Sequence, residues 1–408
     1  MKKLIYLIIA ITILGIIVVG CIPVVPPAQQ DELGSRTNGS TLYVDDDNCP
    51  GPGSGTLDDP FCTIQAAIDD AVNGDTILVA NGNYTITSKI LVDKGVIITG
   101  NIANPENVVV QYSPTANSLI FDMLASNATI QGIKTTGGKT GFWFDQSSVT
   151  GCTVSHCIVD TVNEYGIYMK NGGSGHTIDL CTISNTGQTY AGAPAVLIEN
   201  CLGVTFSNNT LSSISDKGVY VRVCNAISIA DRVEVTGNTI SGCAYPCIQV
   251  YQSPYTYVYN NTISSTGDKG INIIGPNATS RAARVIVEGN TISGCPWSAI
   301  LVTHDRYTYI YNNTISSCDD KGICIADGEN VGSSAQRIVV EGNTVSGTEW
   351  PGIQVYSNID YTYIHNNIIF NTTREGIQTL ASATILGNEI SGCWHGIQIR
   401  NHTTGTVI

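Results

Sequence analysis

The feature that most constrains this chain is a turn written again and again at a fixed interval. Gly237-Asn238-Thr239-Ile240-Ser241-Gly242 returns as Gly289-Asn290-Thr291-Ile292-Ser293-Gly294 and as Gly342-Asn343-Thr344-Val345-Ser346-Gly347. A variant, Asn260-Asn261-Thr262-Ile263-Ser264-Ser265, returns as Asn312-Asn313-Thr314-Ile315-Ser316-Ser317. Asn238 and Asn290 are 52 residues apart, as are Asn261 and Asn313. Two forms of one turn therefore alternate. Each closes a unit of about 23 to 30 residues, rich in β-branched side chains and broken by Gly and Asn, which fits one coil of a parallel β-solenoid and no helical repeat.

Each coil reads in register from its Asn. Three residues before it stands an apolar residue (Phe206, Val235, Val258, Val287, Ile310, Val340, Ile364), and two after it another (Leu211, Ile240, Ile263, Ile292, Ile315, Val345). Further on comes a small residue and an alternating strand, as in Gly218-Val219-Tyr220-Val221, Gly270-Ile271-Asn272-Ile273 and Gly352-Ile353-Gln354-Val355. Alternation with period two turns the Val and Ile inward and their neighbours outward. If Val258 and Ile310 point inward, Tyr257 and Tyr309 must point outward.

The Asn column runs Asn209, Asn238, Asn261, Asn290, Asn313, Asn343, Asn367, Asn388, with Cys157 and Cys181 holding the same place in two earlier coils. Coils stack about 4.8 Å apart, so a carboxamide, both donor and acceptor and tolerant of the left-handed turn conformation, can bond to its copy in the next coil. These asparagines are expected to form a structural ladder.

The ladder, the Gly-Ile-x-Val strands and the alternating coils resemble the right-handed parallel β-helix of the pectate-lyase-like superfamily, over roughly Asp75 to the end. Tyr43-Val44-Asp45-Asp46-Asp47-Asn48-Cys49, Cys62-Thr63-Ile64-Gln65-Ala66-Ala67-Ile68 and Gly74-Asp75-Thr76-Ile77-Leu78-Val79 are similar to the lead-in of many surface proteins of that kind. The resemblance implies an all-β solenoid and a polysaccharide-binding surface. It does not choose among lyases, hydrolases, epimerases and non-catalytic surface proteins.

Lys2 and Lys3 precede an apolar run from Leu4 to Val19, too short for a comfortable membrane span and laid out like a signal peptide. The run ends in Val18-Val19-Gly20-Cys21, which resembles a lipobox. Residues 1–20 are therefore read as a signal peptide and Cys21 as a lipidated first residue anchoring the protein to a membrane. An uncleaved N-terminal anchor is the other reading. Residues 21–40, with Pro23, Pro26 and Pro27, suit a tether.

Residues 41–74 are expected to form the lead-in and a capping helix. Within Cys62–Val72 the apolar residues Ile64, Ala67, Ile68, Ala71 and Val72 have helical spacing, with Asn73-Gly74 as a stop, and an open solenoid end needs a cover. Cys49 and Cys62 bracket the loop before it and are the disulfide candidates in an oxidising compartment. Cys157 with Cys181, Cys201 with Cys224, and Cys295 with Cys318 fall at equivalent places of consecutive coils and are either bridged or a column of buried thiols. Residues 75–408 form the β-helix, and the chain stops at Ile408 partway round a coil.

Net charge is −14 with only 13% charged residues, so no basic stripe exists for nucleic acid. Candidate chemistry lies on the outward columns of the Gly-Ile-x-Val strands. One column carries Tyr168, Tyr220, Gln249 and Gln354; the next carries Lys170, Glu199, Arg222, Tyr251 and Tyr356. Lys170 or Tyr220 as base and Arg222 as carboxylate clamp would suit a lyase or epimerase on uronic-acid polymers. Tyr168, Glu199, Gln249, Tyr251, Gln354 and Tyr356 would line its substrate or that of a plain binding protein. Lys170, Glu199 and Arg222 are equally a surface ion-pair ladder.

No paired glycosidase acids stand out. His304-Asp305 is a weak pair, and Asp216-Lys217-Gly218, Asp268-Lys269-Gly270 and Asp320-Lys321-Gly322 recur like structural turns. No spacing suits zinc and no cofactor is identified; calcium is possible but without a motif. On the opposite face Arg232, Tyr255, Arg284, Tyr307, Arg337 and Tyr361 alternate coil by coil, as a cation–π stack or a platform for sugar rings. The expected protein is an exported, lipid-anchored monomer that binds carbohydrate or a cell-surface partner without catalysis. The enzyme and a structural spacer or adhesin are the alternatives.

Overall fold

The computed structural model describes residues 39–113, 118–189, 192–275, 285–304, 307–326, 338–356, 362–400 and 407–408. The chain divides into Met1–Arg36, all outside the described residues, and Thr37–Ile408. The signal peptide, Cys21 and most of the tether therefore lie outside them, as do Arg284, Asp305, Arg337 and Tyr361. Among the described residues no helix is long and apolar enough to cross a membrane.

Strands of three to five residues recur three to a coil and stack into three parallel sheets. One face, of 14 strands, starts at Thr41–Val44 and ends at Ala383–Leu386. The second, of 13, runs from Gly82–Ile86 to Glu389–Ser391, and the third, also of 13, from Ile90–Val92 to His395–Ile399. Thr41–Val44 pairs in register with Thr76–Val79. The solenoid thus begins inside the segment expected to be only its lead-in, because that segment's Leu42 and Val44 have the same alternation as later strands and are buried in the same core.

The core follows the expected register. Val258 and Ile310 are fully buried while Tyr257 and Tyr309 face out. Inward Val and Ile from the three faces, with Phe121, Phe142, Phe144 and Phe206, make one continuous apolar column. The helix Ile64–Asp70 lies at the N-terminal end, with Ile64, Ala67 and Ile68 turned onto the first strands. Thr63 caps it, its hydroxyl accepting from the Ala66 amide at 3.2 Å. The helix is shorter than its apolar spacing suggests: Ala71 has already turned to extended backbone, and buried Asp75 accepts from the Val72 and Ser40 amides.

Cys49 and Cys62 are bonded across 13 residues, with Cα atoms 4.9 Å apart. The other described cysteines are free; Cys157, Cys181, Cys201, Cys224, Cys295 and Cys318 are all buried. Cys157 and Cys181 continue the Asn ladder in a minor key. Their thiols point to the Ile130 and Val154 carbonyls at 3.7 and 3.6 Å, where an Asn would place its amide nitrogen.

The ladder itself is continuous from Asn209 to Asn388. Asn290 shows the pattern: its Nδ2 donates to Asn313 Oδ1 and to the Val258 carbonyl, each at 2.9 Å, while its Oδ1 accepts from the backbone amide and Nδ2 of Asn261. The left-handed residue is not the ladder Asn, as expected, but the one before it. That place alternates Asn208, Gly237, Asn260, Gly289, Asn312, Gly342, Asn366, Gly387, with φ between 52° and 67°. A Cβ on Gly289 would lie 2.5 Å from Asn260 Oδ1, and glycines 237, 342 and 387 are blocked in the same way by the Asn one coil back. From Asn208 onward asparagine and glycine alternate here, which leaves each Asn carboxamide room over the next coil, whereas His156, Leu180 and Asn208 follow one another in earlier coils without glycine.

Candidate functional site

The third face carries the residues in question, and its strand pairing brings them together. Lys170 pairs with Glu199, Glu199 with Arg222 and Arg222 with Tyr251 on successive coils. Period-two alternation buries Met169, Ile198 and Val221 beneath them. Glu199 bridges both cations, 3.8 Å from Lys170 Nζ and 3.5 Å from Arg222 Nε. The clamp expected for a substrate carboxylate thus lies beside a carboxylate of the protein, at ion-pair distance and without a hydrogen bond from Nε.

The tyrosines beside this triad are packed as well. Tyr168 stacks on Trp143 with centroids 3.7 Å apart and takes the edge of Tyr165 at 4.9 Å. Burial, with Asp145 and Glu199 nearby, pushes the Tyr168 phenol up to about 12. Tyr220 lies under the Lys217 ammonium at 5.3 Å and the Arg222 guanidinium at 5.6 Å. Burial still raises its phenol above the ordinary value, the Arg222 charge offsetting only part of that. A base must be free to lose its proton near neutrality, and Tyr220 is moved the wrong way for that role.

Gln249 and Gln354 are correctly placed on the outward column yet buried, against the expectation that they face a ligand. Gln354 donates to Gln378, and Gln378 donates to Gln398 at 2.7 Å, a second amide ladder. Alternation alone does not reveal this burial. Tyr251 is half-buried, and Tyr356, just past the strand Ile353–Val355, is exposed.

A line of aromatics at the entrance to the third face was not singled out from sequence. Tyr245, Trp297, Trp350 and Trp394 are 53%, 57%, 40% and 69% exposed. Tyr245 and Trp297 are 52 residues apart, so the same two-coil period could have found them. An Asp-Lys-Gly turn comes one coil before each of Tyr245, Trp297 and Trp350. Lys217 reaches over Tyr245 at 5.4 Å, Lys269 over Trp297 at 5.7 Å and Lys321 over Trp350 at 5.3 Å. Each lysine is also paired to its own aspartate, Asp216, Asp268 or Asp320. The rim is thus aromatic and nearly charge-neutral.

On the opposite face Arg232 and Tyr255 directly precede the paired Val233 and Thr256, as expected of one column, while the Arg232 guanidinium lies over Tyr257 at 5.0 Å and pairs with Glu234. Tyr309 and Tyr311 are stacked at 5.6 Å, and His365 approaches Glu341 at 3.5 Å. Asp45, Asp46 and Asp47 form the one carboxylate group close enough to hold a metal among the described residues. Asp45 accepts from the Asp47 amide and Asp46 from that of Asn83, which accounts for both as local caps. A cavity of 460 Å³ beside Cys49–Cys62, lined by Ile64, Tyr84, Ile86, Lys89 and Ile90, lies apart from the triad.

The family described as right handed beta helix region matches residues 173–328, 227–358 and 331–408. A cell surface glycoprotein of Methanothermus fervidus is 36% identical over 98 residues, which are 24% of this chain and 15% of that protein. Among solved structures, the A-module of a mannuronan C-5 epimerase of Azotobacter vinelandii superposes with a TM-score of 0.57 at 14% identity, over 90% of this chain and 99% of that one. The catalytic unit of a Streptomyces thermodiastaticus α-1,3-glucanase gives 0.55 at 18% identity over 91% and 69%. The Dettilon tailspike protein gives 0.52 at 15% over 88% and 68%. At these identities the structures agree in the right-handed parallel β-helix fold.

Proposed function

Because this chain belongs to the family described as right handed beta helix region, we propose that it is an exported surface protein that binds a polysaccharide along its third face without altering it. The observation that carries this reading is the rim of Tyr245, Trp297, Trp350 and Trp394. Large aromatic side chains turned to solvent in one line mark a binding surface, and sugar rings stack on such groups. Names among the structural relatives, a mannuronan epimerase and an α-1,3-glucanase, support a carbohydrate partner.

The arrangement of the triad supports the non-catalytic reading. Glu199 lies within ion-pair distance of Lys170 and Arg222, and burial raises the Tyr220 phenol above its ordinary value, which favours a surface ion-pair cluster over a base and a clamp. Export is supported by the Lys2–Cys21 stretch and by the cell surface glycoprotein relative. Lipidation at Cys21 would complete the attachment, and two or more acyl chains hold stably where one does not. Replacing Cys21 by Ala should then shift the protein out of the membrane fraction; unchanged partitioning removes the anchor.

The binding reading is tested by electrophoresis through gels containing neutral or uronic-acid polysaccharides. At least one polymer should retard the protein. The double variant Trp297→Ala, Trp394→Ala should bind about tenfold more weakly, from two stacked rings worth about 0.5–1.5 kcal/mol each. If no polymer retards it, the binding reading fails. If unsaturated uronic-acid ends accumulate and vanish in Arg222→Ala, the protein is a lyase.

A further inference from the structure

The corner between the first and second faces carries Asn208-Asn209-Thr210, Asn260-Asn261-Thr262 and Asn312-Asn313-Thr314. In each, the first Asn and the Thr match Asn-x-Thr, the acceptor pattern for N-linked sugars. The fold separates the two asparagines of each pair. The second is a buried ladder residue with its Nδ2 fully engaged, as in Asn261, which donates to Val235, Tyr259 and Asn290. The first is exposed at the apex of a left-handed corner, with φ of 55° at Asn260 and 52° at Asn312.

The three exposed asparagines are not equivalent. Asn208 Nδ2 donates to Asp179 Oδ1 at 2.9 Å. Asn260 and Asn312 carboxamides have no such partner among the described residues. Their oxygens rest over Gly289 and Gly342 of the next coil, where any Cβ would collide, so the nitrogens are left to solvent. Gly237 and Gly289 flank Asn260 along the corner, and Gly289 and Gly342 flank Asn312. At the corner position itself the coils on either side therefore add no side chain. Thr262 and Thr314, which supply the required hydroxyls, are exposed too.

We propose that Asn260 and Asn312 are N-glycosylation sites, two coils or about 9.6 Å apart on one edge of the solenoid. The donor class is an oligosaccharide linked through phosphate to a membrane lipid, and the acceptor atom is Nδ2. A bond forms from Nδ2 to the anomeric carbon, the bond from that carbon to the phosphate oxygen breaks, the lipid phosphate leaves and the amide nitrogen gives up one proton. The two-coil period that the glycine alternation imposes sets the spacing of the sugars. This inference rests on the export reading, since the transfer occurs across the membrane from the cytoplasm.

The full chain is isolated from the cells that make it, its location is recorded, and its peptides are weighed by mass spectrometry. The expected result is a glycan mass on Asn260 and Asn312, none on Asn261 or Asn313, and lower occupancy at Asn208. Thr262→Ala should abolish the mass at Asn260 and leave that at Asn312, and Thr262→Ser should retain both. These variants touch an exposed hydroxyl and keep the corner intact. Exported protein with bare Asn260 and Asn312 overturns the proposal and leaves export standing. Protein retained in the cytoplasm overturns both.

Discussion

Replacing Asn290 by Ala tests the ladder where it is fully buried. The substitution removes Oδ1, which accepts from the Asn261 backbone amide and from Asn261 Nδ2, both at 2.9 Å. It also removes Nδ2, which donates to Asn313 Oδ1, Val258 O and Glu288 O. Asn261 Nδ2 keeps its bonds to Val235 and Tyr259, and Asn313 Oδ1 keeps the Asn290 backbone amide. The Asn261 backbone amide is left with nothing, at about 1–3 kcal/mol for a buried unsatisfied donor. With the small void added, the loss should be about 2–4 kcal/mol. Solenoid coils interact mainly with their neighbours, so the damage should be local. Hydrogen exchange should show the Asn261 amide and adjacent strands losing protection while the capping helix is unchanged. Asn312→Gly, at a left-handed position where neighbouring coils already use glycine, serves as control and should stay within about 0.5 kcal/mol. An Asn290→Ala protein as stable as the parent, with Asn261 still protected, would refute the ladder as a source of stability.

Two further outcomes are expected. Gly289→Asn alone should lower the melting temperature, because its side chain meets Asn260 Oδ1; adding Asn260→Gly should recover part of the loss, and failure to recover would mean that the alternation is not steric. For Tyr168, burial lifts the folded phenol to about 12 against about 10 in the unfolded chain. The raised value favours the folded state fully below pH of about 10, and this contribution is lost as pH climbs through about 12. Ultraviolet titration should show a late-ionising tyrosine that disappears in Tyr168→Phe; a Tyr168 that ionises with the exposed tyrosines would refute its packing against Trp143.

Much of this molecule is readable from its residues because a solenoid is built from local repetition. Asn209 to Asn388 state the coil, and the alternation around Val258 and Ile310 states which side chains enter the core, since a strand leaves each residue only two faces. The Cys49–Cys62 bridge and the capping helix were legible for the same reason: both are contacts within a short stretch. What the tertiary structure alone decided concerns contacts between coils. The 52-residue period is visible in the sequence, but the contact that accompanies it, Asn260 Oδ1 resting over Gly289, exists only once coils are stacked. Gln249 and Gln354 point outward by parity and are still buried, because coverage depends on the length and direction of neighbouring side chains. Lys170, Glu199 and Arg222 are neighbours by register, yet how closely their charged ends approach, 3.8 and 3.5 Å, depends on side-chain geometry that register does not give. The aromatic rim at Tyr245, Trp297, Trp350 and Trp394 is likewise a property of the stack, since residues about 50 positions apart become a surface only when two coils bring them side by side.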